Sequence, residues 1–144
     1  MSDTASAGDL STATPIPTIN PETAPYWEAT NAGKLMLRRC TNCETVVWYP
    51  RSICPVCGTP DTKWFEASGL GSVYTFTVNH KGEGPYAAVS PYVLAYVQLD
   101  EGPRMATNIV GVNPADVSIG QRVRVVFHDT GAGCALPRFT PEGA

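Results

Sequence analysis

Hydrophobic and polar positions change their rhythm near the middle of the chain. From Gly69 onward the rhythm is that of strands. Val73 to Val78 is dense in β-branched and aromatic residues, with Tyr74, Phe76 and Val78 sharing one face. Tyr92 to Leu99 is a nearly continuous apolar run and reads as a strand buried on both faces. Met105 to Val110 is a third strand, joined to the second by a tight Asp100-Glu101-Gly102-Pro103 turn. Asn113-Pro114-Ala115-Asp116 opens a turn or one helical turn, which Gly120 closes. In Arg122 to His128, Val123, Val125 and Phe127 point one way while Arg122, Arg124 and Val126 point the other. Ala135 to Thr140 is a short fifth strand.

The first half reads differently. Residues 1–19, rich in Ser, Thr, Ala and Pro, show no period and little apolar bulk, which predicts a disordered or surface-draped tail. Residues 20–34 read as a short N-terminal helix. Asn20 caps it, Pro21 takes the first helical position, Glu22 favours the positive end of the dipole and Gly33 stops it. Its aromatic pair, Tyr26 and Trp27, either packs on the domain or faces a partner. Within residues 35–66, Leu35 to Arg39 and Val46 to Tyr49 read as short strands, and Pro50, Pro55, Gly58 and Pro60 mark turns. The expectation is a mainly β chain: an N-terminal helix, a small cysteine-bearing unit, and over 67–144 a five-stranded Greek-key barrel of the OB type.

Composition sharpens this picture in three places. With 144 residues and 43% apolar content the chain can hold a true core. Thirteen glycines and thirteen prolines argue against long helices. No run of roughly 18 apolar residues suggests a membrane span, and no basic-then-apolar leader is visible, so a cytoplasmic location is expected. The net charge of −3 disfavours a general nucleic-acid binder. Basic residues concentrate in one place: Lys34, Arg38, Arg39, Arg51 and Lys63 fall in the stretch that carries four of the five cysteines.

Those cysteines are the strongest chemical signal. Cys40-Thr-Asn-Cys43 and Cys54-Pro-Val-Cys57 are two C-x2-C knuckles separated by ten residues. The spacing places four thiolates at tetrahedral corners and suits Zn2+, with Gly58 easing the second turn. Four protein ligands close the site, so it would stabilise the fold rather than activate water. Two disulfides, or a rubredoxin-type iron site, use the same residues. The surrounding arginines either balance the −2 charge of a zinc tetrathiolate or hold an anionic ligand. Cys134 stands apart. It is either a small buried residue or a reactive thiol helped by His128 and Arg138. The loop from Asn79 to Tyr86 is long for a hairpin and is either a binding loop or a plain connection. No nucleophile elbow, phosphate loop or dinucleotide fingerprint occurs, so the chain is not expected to be a catalyst by itself.

Four passages in order carry a family resemblance: Tyr26-Trp27 with Gly33-Lys34-Leu35; Arg39-Cys40 to Cys43 and Tyr49-Pro50-Arg51 before Cys54-Pro55 to Cys57; Gly69 to Thr77; and Leu136-Pro137-Arg138-Phe139. They resemble the OB-fold proteins with a rubredoxin-like zinc ribbon known as domain of unknown function 35. The resemblance implies an accessory role beside a thiolase-like or sterol-carrier-like thiolase subunit, which supplies the nucleophile or base. It also implies structural zinc on Cys40, Cys43, Cys54 and Cys57, and a part in holding an acyl-CoA. Arg39, Arg51, Lys81 and Tyr86 are the residues expected to meet coenzyme A, as cations for phosphate and a ring for the base. Some members are fused to a hot-dog hydratase domain, for which 144 residues leave no room. The alternative is a single-stranded nucleic-acid binder stacking bases on Tyr74, Phe76 and Tyr92.

Overall fold

In the computed structural model, residues 8–143 are described. One α-helix, α1 (Ala24–Asn31), leads into a three-stranded antiparallel sheet made of β1 (Met36–Cys40), β2 (Val46–Val47) and β3 (Thr62–Glu66), in the order β2-β1-β3. Five further strands follow: β4 (Leu70–Asn79), β5 (Tyr92–Leu99), β6 (Arg104–Ile109), β7 (Arg122–Asp129) and β8 (Ala135–Pro141). They close into a barrel in the order β4-β5-β6-β8-β7, and only the β6–β8 pair is parallel. That closure is the OB arrangement, which leaves no free sheet edge.

The helix begins one turn later than its sequence suggests. Asn20 caps a preceding turn, its side chain accepting from the Thr23 N–H at 3.0 Å, and Pro25 rather than Pro21 lies in the first turn of α1. Gly33, at φ +72°, stops the helix as expected. Lys34 N–H returns to the Ala29 carbonyl and Gly33 N–H to that of Thr30, a left-handed C-terminal cap. Tyr26 and Trp27 are buried in the common core with Leu35, Leu37, Val97, Val123 and Phe139. The aromatic pair therefore packs inward. Thr30 ties the helix to the barrel, its hydroxyl accepting from the Ala135 N–H at 2.9 Å.

Of the two readings of the tail, the surface-draped one describes residues 8–13: Leu10–Thr12 forms a 3-10 turn, and Leu10 and Ala13 are buried against Val89. Residues 1–7 lie outside the described part. Strand β5 is buried on one face only, with Leu94 and Tyr96 outward, because no second layer covers the barrel there. Strand β3 was not read from the sequence, although Thr-Lys-Trp-Phe-Glu carries ordinary strand formers.

Candidate functional site

The two knuckles are built alike. In the first, Cys40 N–H reaches the Thr45 carbonyl (2.8 Å) and Glu44 N–H reaches that of Cys40 (2.9 Å). In the second, Cys54 N–H reaches Thr59 (2.9 Å) and Gly58 N–H reaches Cys54 (2.9 Å). The residue after each pair needs a left-handed backbone. Gly58 takes it at φ +77° at little cost, while Glu44 takes it at φ +65° despite its side chain. Backbone N–H groups of Cys43 and Val56 point at the sulfurs of Cys40 and Cys54, both at 3.4 Å.

This geometry brings all four sulfurs within 4.8 Å of one another. Cys40 and Cys57 lie 3.5 Å apart and Cys43 and Cys54 3.6 Å apart. A tetrahedron with zinc–sulfur arms of about 2.3 Å has edges of about 3.8 Å, so the donor set fits the ion. None of the four is in a disulfide. The surroundings act unequally, pushing the Cys43 thiol up and two others down. The Thr59 hydroxyl, then its backbone N–H, hold the Cys57 thiol down at about 5. The Cys43 N–H lowers that of Cys40. Zinc bound here would have four protein sulfurs and would cross-link the knuckles.

The residues expected to meet coenzyme A do not form one site. Arg39 is exposed, its guanidinium 4.3 Å over the Phe65 ring. Arg51 is exposed beside the second knuckle, where its carbonyl accepts from the Thr62 hydroxyl. Lys81 is exposed in the β4–β5 connection. Tyr86 lies elsewhere, half-buried in the 3-10 helix Gly84–Val89, with its ring stacked on Tyr92 and its hydroxyl accepting from Arg138 at 3.1 Å. It lines a cavity of about 220 Å³ with Trp27, Trp48, Tyr49 and Met105, and none of Arg39, Arg51 or Lys81 lines it.

The nucleic-acid platform is likewise not assembled. Tyr74 is outward beneath Arg104, while the Tyr92 hydroxyl accepts from Asn79 and its ring is taken by Tyr86. Cys134 is fully buried in the core beside the Thr130 hydroxyl, and Arg138 and His128 are engaged with one another. It is a packing residue. The long loop is anchored too, through buried Val89.

Sequence reasoning missed the role of Arg138. This guanidinium is 2% exposed and has no carboxylate partner. It donates to the carbonyls of Leu10 (2.6 Å) and Ala13 (2.7 Å), to Asn108 Oδ1 (3.1 Å), to Tyr86 Oη (3.1 Å) and to His128 Nδ1 (2.9 Å). The only signal was an arginine in a strand whose next residue, Phe139, belongs in the core. That places Arg138 on the opposite face, and nothing in the sequence showed that the tail covers it.

A ribbon carrying four clustered cysteines, followed by a closed OB barrel, defines a class of two-module β proteins. Comparison narrows the class. Residues 27–62 match the family model described as the rubredoxin-like zinc ribbon domain of ChsH2, and residues 64–128 match its C-terminal OB-fold domain. The solved structure titled Ltp2-ChsH2(DUF35) aldolase superposes with a TM-score of 0.78 at 38% identity, over 88% of this chain and 98% of that one. The chain belongs to the DUF35 family of zinc-ribbon OB-fold proteins.

Two longer relatives are also similar. A probable enoyl-CoA hydratase alpha subunit of Thermomonospora curvata is 39% identical over 127 residues, 88% of this chain. The 3-oxo-4,17-pregnadiene-20-carboxyl-CoA hydratase alpha subunit of Mycobacterium tuberculosis is 32% identical over 119 residues, 78% of this chain. The chain spans 40% of the first and 36% of the second. Among the described residues no helix is long and apolar enough to cross a membrane.

Proposed function

We propose that this chain is the non-catalytic accessory subunit of a thiolase-like acyl-CoA complex, of the thiolase or steroid side-chain retro-aldolase type. The observation that carries the reading is the match, along 98% of its length, to a chain solved as part of an aldolase named for two components. The names of the two hydratase-subunit relatives supply the acyl-CoA and, in one case, the steroid thioester.

The chemistry of this chain supports the division of labour. A metal closed by four sulfurs offers no coordination position to a substrate, so its role is to hold the ribbon. The outer face of the barrel offers a surface for assembly. Tyr74 (46% exposed), Leu94 (44%) and Tyr96 (50%) stand on adjacent strands β4 and β5, with Thr75 opposite Tyr96 and Thr77 opposite Leu94. In our reading the thiolase-like subunit covers this strip, which carries large apolar side chains with the Arg104 guanidinium over Tyr74. Arg39, Arg51 and Lys81 are the proposed phosphate contacts for the shared coenzyme A thioester, and Tyr86 walls the neighbouring aromatic cavity.

The test is purification of the tagged chain from its native host, with the captured protein identified by mass spectrometry. A thiolase-like protein in stoichiometric yield is the expected result. Co-purifying nucleic acid, or a stoichiometric partner without a thiolase-like sequence, would overturn the reading.

A further inference from the structure

Arg138 presents an unusual arrangement: a buried permanent charge satisfied only by neutral acceptors, two of them main-chain carbonyls of the N-terminal segment. Burying a charge without an anion is costly, so every acceptor in the set matters. One of them depends on pH. A guanidinium has donors only, so His128 Nδ1 can meet Arg138 Nη1 at 2.9 Å only with a free lone pair. The imidazole must therefore be neutral, with its proton on Nε2. Protonation would set donor against donor and positive charge against positive charge.

The segment that would respond is close by. Residues 9–13 form a strap whose 3-10 turn is closed by Ala13 N–H to the Leu10 carbonyl at 3.0 Å. Its Leu10 and Ala13 sit on Val89, with Tyr86, Tyr92 and Val110 around them. Gly8 passes so close to the Val89 backbone that no side chain would fit. We infer that the strap is a pH-dependent latch: protonation of His128 breaks its contact with Arg138, and residues 9–13 lift from the barrel.

The groups facing His128 set the direction. Arg138 on β8 repels the imidazolium, and Arg124, on β7 with His128, lines the cavity that His128 also lines. Asp9 on the strap attracts it, and the Leu10 carbonyl also favours it. Burial, then Arg138, outweigh these, and His128 is held below its ordinary range. The latched form thus binds fewer protons than the open form. It is fully favoured above the ordinary imidazole value of about 6.5 and loosens as pH falls through the lowered one, by up to about tenfold per pH unit between the two. Asp9 is itself held low by the Ser11 hydroxyl and N–H, so it stays ionised throughout and does not cause the transition.

The experiment is amide hydrogen exchange by NMR on the full zinc-loaded chain from pH 8 to 5, corrected for the intrinsic pH dependence of exchange. Protection of the Ala13 amide should fall several-fold, and by no more than about tenfold, between pH 7.5 and 5.5. The Val110 amide, bonded to the Phe139 carbonyl, reports the barrel, and the Cys54 amide reports the ribbon; both should hold. His128→Asn places a non-titrating oxygen where Nδ1 stood and should make Ala13 protection independent of pH. A flat profile in the unaltered protein would overturn the latch, as would an unchanged fall in His128→Asn. The test stands apart from the accessory-subunit reading, since it needs no partner.

Discussion

Replacing Cys54 by serine removes one of two buried sulfurs from the metal centre. Its thiolate accepts from the Val56 N–H and lies 3.6 Å from Cys43, so it is part of both the second knuckle and the cross-link between knuckles. Structural zinc contributes about 10–16 kcal/mol of apparent binding free energy through four ligands, so one ligand carries about 2.5–4 kcal/mol. That approaches the total stability of many domains, about 5–15 kcal/mol. The knuckle hairpin has little to offset the loss: β1 and β2 share only two residue pairs, Arg38 with Val47 and Arg39 with Val46, and the five pairs of β1 with β3 lie on its other edge. The barrel, by contrast, closes on itself around Val73, Val97, Met105, Val123 and Phe139. Damage should therefore stay local. Elemental analysis should show stoichiometric zinc in the parent and little in Cys54→Ser. Hydrogen exchange at the Cys40 and Cys54 amides should approach that of an unfolded chain, while Val110 remains protected. Full zinc occupancy with unchanged ribbon protection would refute this reasoning.

Three other substitutions probe separate parts of the account. Arg138→Met removes donors from five acceptors and should cost about 3–5 kcal/mol in urea unfolding, at the lower end because a released strap lets the Leu10 and Ala13 carbonyls find water. Limited proteolysis should then cut within residues 8–13. In Gly71→Ala the new methyl would meet the Gln98 carbonyl oxygen at 2.6 Å, and the β4–β5 pairing should weaken by about 1–3 kcal/mol, read by the shift in urea midpoint. The double change Leu94→Asp and Tyr96→Asp lies on exposed outward positions. It should alter stability by no more than about 1 kcal/mol and abolish co-purification of the partner.

Much of the architecture could be read from local pattern. The two C-x2-C pairs specify a four-sulfur cluster because knuckle geometry is set within a few residues. The strands from β4 to β8 announce themselves through β-branched and aromatic runs between glycine and proline turns. What escaped depended on contacts distant in sequence. Leu94 and Tyr96 look like core residues, and only the closed barrel shows that they face outward. The strap has no period of its own, and its order comes from Arg138, 128 residues from Leu10. Tyr86 reads as a loop aromatic, and its contacts with Arg138 and Tyr92 appear only in the fold. The helix start slipped by a turn because Asn20 caps a preceding turn instead.

The most direct test of the central claim is turnover by the reconstituted pair. The thiolase-like partner is assayed on its acyl-CoA thioester alone, with an equimolar amount of this zinc-loaded chain, and with the chain by itself as control. The account predicts that the chain alone gives no product and that adding it to the partner raises activity at least about tenfold. Turnover by the isolated chain, or partner activity unchanged by its addition, would contradict it.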